Sequence, residues 1–341
     1  MNRRTLAGLS KANLPQWIWA CLPFWVGSLI WALDGKTPDW GIISLFIVTV
    51  IIIQASAELA NTYVDRNEDH IFVPSNPLVT GELTENSAKK ALIIENIAAG
   101  VLILSLLLIT LNYYLIAAMV AGWLIGLAYS LPPLKLKETI ASPFSFALST
   151  ALVPITAWLL VGSLNDFIIA FAAVLFVGAY GANISTGKLR KTIEALHHGK
   201  IRINYSVSKY NIKTVDMNVK IKTAVALEAI AGFSAFVLVA IFWHLGIFDM
   251  KLSIALLSVP LIFMMLTVIF RIKDPIKNFK KCVEFAGLSA LFIMLSFFAL
   301  ALINVLNWHW GFAALSCIFF LIVFCLLFKQ VHPFGEIHRA T

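Results

Sequence analysis

Ala57-Glu58-Leu59-Ala60-Asn61-Thr62-Tyr63-Val64-Asp65-Arg66-Asn67-Glu68-Asp69 decides how the rest of the chain is read. The stretch starts inside a long apolar segment and leaves it as a run of polar residues. If it continues as a helix, Glu58, Asn61, Asp65 and Asp69 fall at offsets 0, 3, 7 and 11 and share one face. Asp65 and Asp69 then lie one turn apart, with Cβ atoms roughly 5–6 Å from each other. Two carboxylates at that spacing, beside the amide oxygen of Asn61, suit a hard divalent cation such as Mg²⁺. Glu58 places a further polar group one turn deeper, toward any cavity in the apolar slab. Carboxylates at the end of a membrane span are costly to keep, which points to function. The competing reading is a solvated helix end.

The surrounding chain is that of a multi-span membrane protein. Of 341 residues, 60% are hydrophobic and 13% charged. Ten apolar segments are long enough to cross a bilayer. They run over Leu14–Leu33, Trp40–Asn61, Ala91–Leu111, Tyr113–Ser130, Ser142–Val161, Phe167–Ser185, Ala224–Leu245, Leu252–Phe270, Glu284–Asn304 and Trp310–Phe328. With the N-terminus in the cytoplasm, all of the 26 Lys and Arg except Lys36 and Lys251 fall in cytoplasmic segments. That alternation predicts cytoplasmic N- and C-termini. The net charge of +8 is then a topology signal and an attraction for anionic lipid and anionic substrates, not a nucleic-acid footprint.

Arg3 and Arg4 precede the first span as in a signal peptide, but the segment is long and no small-residue cleavage site follows, so it is expected to be retained. Cys21, Cys317 and Cys325 lie in spans and Cys282 in a loop, with no CxxC pair. Neither a disulfide framework nor a zinc site is indicated.

Beyond the acidic stretch, Val73-Pro74-Ser75-Asn76-Pro77-Leu78-Val79-Thr80-Gly81 stops the helix, and Thr84 is placed to cap the next one. The third and fourth spans are joined by almost nothing and form a tight hairpin. The fourth ends in Tyr129-Ser130-Leu131-Pro132-Pro133-Leu134-Lys135-Leu136-Lys137. Its prolines terminate the helix, and Tyr129, Ser130 and Lys135 offer two hydroxyls and an ammonium. An interfacial aromatic and topology-setting lysines are the plainer account.

The sixth span leads into the longest and most basic loop. If its helix continues through Gly187, Asn183, Lys188 and Lys191 share a face and could clamp an anion, with Arg190 beside them. A basic loop lying on lipid is the alternative. His197 and His198 are adjacent and do not face one another on a helix, which argues against a metal site there. No pair of broken half-helices marks an inverted-repeat transporter.

These residues resemble the UbiA superfamily of intramembrane prenyltransferases. Asn61, Asp65 and Asp69 match its NxxxDxxxD motif. Asn76-Pro77-Leu78 with Gly81 resembles its Arg-Pro-Leu-x-x-Gly turn, with Asn where Arg is usual. Tyr129-Ser130-Leu131-Pro132-Pro133-Leu134-Lys135 resembles its Tyr-Ser-x-Pro-Pro-x-(Lys/Arg) loop. The resemblance runs over about residues 10–306 of a single domain spanning 1–341. It implies an all-α polytopic bundle of about nine spans around a central lipid-accessible cavity. This sequence carries one span more, at about 310–328, expected on the outside of the bundle. The family's second acidic motif, DxxxD, has no counterpart: no Asp occurs between Asp166 and Asp216, and Lys191 and Ala195 stand at the two positions.

The resemblance implies a prenyl diphosphate as substrate and Mg²⁺ as cofactor, held by Asn61, Asp65 and Asp69. Arg66, Tyr129, Ser130, Lys135, Asn183, Lys188, Arg190 and Lys191 are the expected diphosphate contacts. Heterolysis of the allylic C–O bond leaves charge on the diphosphate, so stabilising that leaving group is the main catalytic device. The 25 Phe, 10 Trp and 7 Tyr could shield the allylic cation. Transfer to an acceptor is the leading reading and cyclisation of the prenyl chain the alternative. A non-catalytic isoprenoid- or lipid-binding bundle and a transporter are further readings.

Overall fold

The computed structural model describes residues 3–13, 16–33, 36–72, 76–139, 141–184, 217–273, 278–306 and 309–331. These form α1 (Arg3–Asn13), α2 (Gln16–Leu33), α3 (Trp40–Phe72), α4 (Glu85–Thr110), α5 (Tyr113–Ser130), α6 (Ser142–Val161) and α7 (Asp166–Asn183). They continue as α8 (Met217–His244), α9 (Met250–Leu257), α10 (Val259–Lys273), α11 (Phe279–Asn304) and α12 (Trp310–Val331). A 3₁₀ turn, Leu136–Glu138, precedes α6. Among the described residues there is no strand, and the fold is all-α as expected.

Seven helical segments among the described residues are long and apolar enough to cross a membrane, α9 and α10 counting together as one. They match seven of the ten expected spans, and α2, α11 and α12 cover the other three segments. Helix α4 shows why lipid is the solvent. Ile93, Ile94, Ile97, Val101, Leu104 and Leu108 recur at helical spacing and are all more than half exposed, while Ala99, Ile103 and Leu106 on the other side are buried. A long apolar stripe turned outward suits hydrocarbon and would be a liability in water.

The eighth expected span is not one straight helix. It breaks at Ser258, whose φ −88°, ψ −100° fall outside the helical region, giving α9 and α10. Pro260 is the cause: it lacks an N–H and its ring crowds the carbonyl four residues back. The proline carbonyl accepts from Ser289 Oγ on α11 at 2.9 Å.

The chain divides into two compact units. One holds Met1–Lys135, Thr156–Ser163 and Ala301–Thr341. In it α3 packs on α1, α4 and α5, and α12 packs on α2. The α4–α5 hairpin turns through Leu111 in the left-handed region (φ 50°). Asn112 caps α5 by accepting from Leu115 N at 3.0 Å, and its amide reaches Leu159 O at 2.7 Å. Thr84 caps α4 by accepting from Ser87 N at 3.2 Å, as its position in the sequence predicts.

Helix α1 was not expected from the sequence. It lies on the turn after α3: Ala12, Leu59, Leu83 and Ala88 form a buried cluster ringed by Leu9, Tyr63 and Leu78. Gly8 is required there, because a Cβ would sit 3.0 Å from the Glu82 carbonyl carbon. Lys11 adds an ion pair to Glu82 at 2.7 Å.

The second unit holds Leu136–Ile155 and Leu164–Leu300. Its central pair is α7 against α8. A Cβ on Gly178 would lie 3.8 Å from Ala235 Cβ, and one on Gly181 3.0 Å from Ala231 Cβ. The partner number falls as the glycine number rises, so the helices are antiparallel. Small residues at the crossing let the backbones approach, as membrane helices require. Phe171 stacks on Phe297 at a centroid distance of 3.9 Å and closes that unit's apolar interior.

Candidate functional site

Helix α3 runs unbroken from Trp40 to Phe72. Its 33 residues make a rod of about 50 Å. Hydrocarbon is about 30 Å thick, so about 20 residues cross it and the remainder projects. Measured from Trp40, the crossing ends near Ala60, and the polar motif begins there. The condition for one shared face is met: Glu58, Asn61, Asp65 and Asp69 all lie within this single helix. Asp65 is 7% exposed and Asp69 half-buried. Glu58 is half-buried, and its Oε1 accepts from Gln54 Nε2 at 3.2 Å.

Helix α5 brings the second motif to the first. Ser130 Oγ donates to Asn61 Oδ1 at 3.2 Å, across 69 residues of sequence. One turn earlier, a Cβ on Gly126 would lie 3.2 Å from Ala57 Cβ. The two contacts keep the same sequence separation, so α3 and α5 run parallel and leave the apolar slab on the same side. Parallel packing over a glycine therefore sets Ser130 against Asn61. Tyr129 is half-buried in the same turn. Leu131 then leaves the helix with extended backbone (φ −84°, ψ 145°). The chain folds back until Lys135 N donates to Leu131 O at 3.0 Å, with Lys135 in the left-handed region at φ 40°.

Two charged or polar neighbours are placed in ways the sequence does not disclose. Arg66, expected among the diphosphate contacts, donates from Nε to Glu85 Oε1 at 2.6 Å and from its NH1 group to Tyr63 O at 2.8 Å. Its guanidinium carbon lies 4.7 Å from the Tyr63 ring centroid. Asn76, standing where the family turn usually has Arg, donates from Nδ2 to Asp69 Oδ2 at 2.6 Å. Its Oδ1 accepts from Leu78 N at 2.8 Å, closing an Asx turn at the start of Asn76-Pro77-Leu78.

In the second unit, Asn183 ends α7 at 4% exposure and accepts from Ser142 Oγ at 3.3 Å. Glu228 on α8 is 2% exposed, level with the end of α7: a Cβ on Gly181 would lie 3.3 Å from the Glu228 carbonyl oxygen. A lone acid inside the segment Ala224–Leu245 was the signal for it, since intramembrane carboxylates are costly. Lys188, Arg190, Lys191 and the pair His197-His198 lie outside the described residues.

Among the described residues, no three His, Cys, Asp or Glu cluster to hold a metal. The donor set on α3 is two carboxylates and an amide oxygen, all hard and all oxygen. Mg²⁺ is commonly bound through one or two carboxylates with the rest of its shell from water and phosphate. Asp65, Asp69 and Asn61 fit that requirement.

The model for the UbiA prenyltransferase family matches residues 20–288. The chain belongs to this family. It is accordingly an integral membrane protein. Among curated UbiA relatives, a 4-hydroxybenzoate octaprenyltransferase from Shewanella piezotolerans is 30% identical over 152 residues, 41% of this chain and 50% of that protein. One of the same name from Methylococcus capsulatus is 26% identical over 234 residues, 62% of this chain and 76% of that protein. The chain thus spans about half the length of the first of these relatives. A UbiA homologue from Archaeoglobus fulgidus, solved bound to DMAPP and Mg²⁺, shares the fold at a TM-score of 0.58 and 16% identity, covering 85% of this chain and 98% of that one.

Proposed function

We propose that this chain transfers a prenyl group from a prenyl diphosphate to an acceptor within the membrane. The observation that carries the reading is the alignment of Asn61, Asp65 and Asp69 on one face of α3 where it leaves the apolar slab, with Ser130 fixed to Asn61. A prenyl diphosphate has the matching polarity: an apolar tail for the slab and an anionic head for its edge. The Shewanella and Methylococcus relatives are named for octaprenyl transfer to 4-hydroxybenzoate, and the Archaeoglobus homologue was solved with an allylic diphosphate.

Asp65, Asp69 and Asn61 would hold Mg²⁺, which when bound supplies positive charge to the departing diphosphate. Ser130 orients the Asn61 amide by donating to its oxygen. Lys135 and Tyr129 offer donors to phosphate oxygens from the turn that follows. The basic stretch Lys188, Arg190 and Lys191 is proposed as an anion-binding segment, the ammonium groups acting as fixed point charges. In the reaction the allylic C–O bond breaks and diphosphate leaves with the electron pair. The acceptor forms the new bond and gives up a proton.

Cyclisation of the prenyl chain on itself is the second reading. It is favoured by the absence of any Asp between Asp166 and Asp216, where the family's second acidic motif is expected. The experiment is product analysis with membranes carrying the protein, Mg²⁺ and prenyl diphosphates of several lengths, with and without 4-hydroxybenzoate as acceptor. Consumption that needs the acceptor supports transfer. Diphosphate release with a hydrocarbon or terpene alcohol product supports cyclisation. No consumption under any condition overturns both.

A further inference from the structure

We infer that Asn76 is a positioning residue for Asp69, holding the carboxylate toward the divalent cation; this rests on the functional reading above. Every polar atom of the Asn76 amide is used. Nδ2 donates to Asp69 Oδ2 at 2.6 Å and to Thr62 O at 3.3 Å, and Oδ1 accepts from Leu78 N at 2.8 Å. The residue is 4% exposed, so these bonds have little competition from solvent. Its own carbonyl accepts from Val79 N at 2.8 Å and Thr80 N at 2.9 Å, which ties the amide to a rigid turn.

Helix geometry explains why one amide reaches two groups seven residues apart on α3. Backbone carbonyls point along the helix toward its C-terminus, whereas side chains tilt toward the N-terminus. Thr62 O and the Asp69 carboxylate therefore converge from opposite directions, and Asn76 bridges them. The bond to Oδ2 fixes the Asp69 carboxylate orientation before any cation arrives.

The residue type matters as much as the contact. The resembling family turn usually has Arg at this position. A guanidinium beside Asp69 would neutralise one of the motif's two aspartates. An amide orients the carboxylate and leaves its charge intact. Partners of this kind around metal-binding carboxylates are worth about 10–100-fold in metal affinity or activity.

The test uses the full chain in detergent, with Mn²⁺ as the probe and electron paramagnetic resonance to count bound metal. Asn76→Ser keeps an oxygen to accept from Leu78 N but is too short to reach Asp69; Asn76→Ala serves if it does not fold. Metal-free melting confirms the fold of each. Either variant should weaken Mn²⁺ binding about 10-fold or more and raise the KM for prenyl diphosphate. A double-mutant cycle separates positioning from a merely structural role. In an Asp69→Ala background, Asn76→Ser should weaken Mn²⁺ binding by less than about twofold, because the two residues act as one unit. Binding within twofold of the parent in the single variants overturns the assignment alone, as does a full additive loss in the cycle. A parent that binds no Mn²⁺ and consumes no prenyl diphosphate overturns the functional reading and this assignment with it.

Discussion

The contact between Gly126 and Ala57 sets the spacing of the two motifs, and Gly126→Val tests it. A Cβ at position 126 already lies 3.2 Å from Ala57 Cβ, tighter than an ordinary van der Waals contact. Alanine there demands a few tenths of an ångström of separation. Valine adds two methyls to a stiff Cβ, so the helices must part further. The Ser130–Asn61 hydrogen bond sits one turn along at 3.2 Å, and little more than 0.3 Å of separation takes it past a useful length. Losing it costs about 1 kcal/mol of direct bonding. The larger consequence is geometric: a misplacement of about 1 Å near reacting groups can cost about 100-fold in rate. Gly126→Val should thus lower kcat by roughly 10–100-fold, with Gly126→Ala in between. The double exchange Ala57→Gly with Gly126→Ala moves the methyl across the contact without adding one, and should restore most of the rate. The assay is prenyl diphosphate turnover in proteoliposomes, alongside a melting curve in detergent. A folded Gly126→Val protein within twofold of the parent, or an exchange variant no better than Gly126→Ala, would refute the close-packing account.

Asp65→Ala and Asp69→Ala should each reduce turnover by about two orders of magnitude or more while the protein still inserts and melts cooperatively; unchanged turnover in either removes the metal-site proposal. Leu83→Ala should cost about 2–5 kcal/mol locally, because Leu83 is 1% exposed in the cluster beneath α1, and faster proteolysis of the N-terminal segment reads it out. A non-hydrolysable prenyl diphosphate analogue should bind even with metal chelated, through Lys188, Arg190 and Lys191, and lose that binding with salt over a Debye length of about 8–10 Å. Metal-free binding that is absent, or strengthened by Lys191→Asp, ends the anion-clamp proposal. Tagging should place the N-terminus, the Asn76–Leu83 and Leu131–Lys135 turns and the C-terminus on the cytoplasmic side, and an external C-terminus would contradict the charge-based topology.

The sequence discloses α3 and its acidic face because both signals are local. A 3.6-residue period needs no tertiary information, and neither do the Thr84 cap, the Asn112 hairpin or the Pro132-Pro133 stop. Helix α1 was illegible for a physical reason. Gly8, Leu9 and Ala12 share its buried face, but at 11 residues it is too short to cross a bilayer, and Arg3, Arg4 and Lys11 read as topology charge ahead of the first span. The break at Ser258 was legible in principle from Pro260, but an apolar segment long enough to cross a bilayer masked it. Asn76 was hidden most deeply. Its partners, Asp69 and Thr62, lie 7 and 14 residues back on α3, and no local preference pairs them with it. The α3–α5 contact was likewise hidden, since nothing in the sequence relates Gly126 to Ala57.

On the proposed metal-site reading, the placement of Arg66 and Lys11 bears on how Asp65 and Asp69 would serve a cation in a chain of net charge +8. Arg66 follows Asp65 directly, yet consecutive residues project about 100° apart around a helix. Glu85 then draws the guanidinium to 2.6 Å on the α4 side, and Tyr63 supports it from beneath. Lys11, the cation brought near the motif turn by α1, is held by Glu82 at 2.7 Å. Two surface acids thus engage two cations that could otherwise compete for Asp65 and Asp69. These exposed pairs contribute at most about 1 kcal/mol each to stability. Their consequence on that reading is for specificity: they hold Arg66 at Glu85 and Lys11 at Glu82, while Asn76 meets Asp69 through an uncharged amide. In the proposed reaction Asp65 and Asp69 would hold a divalent cation that supplies positive charge to the anionic head, at the same edge of the membrane where the apolar tail enters.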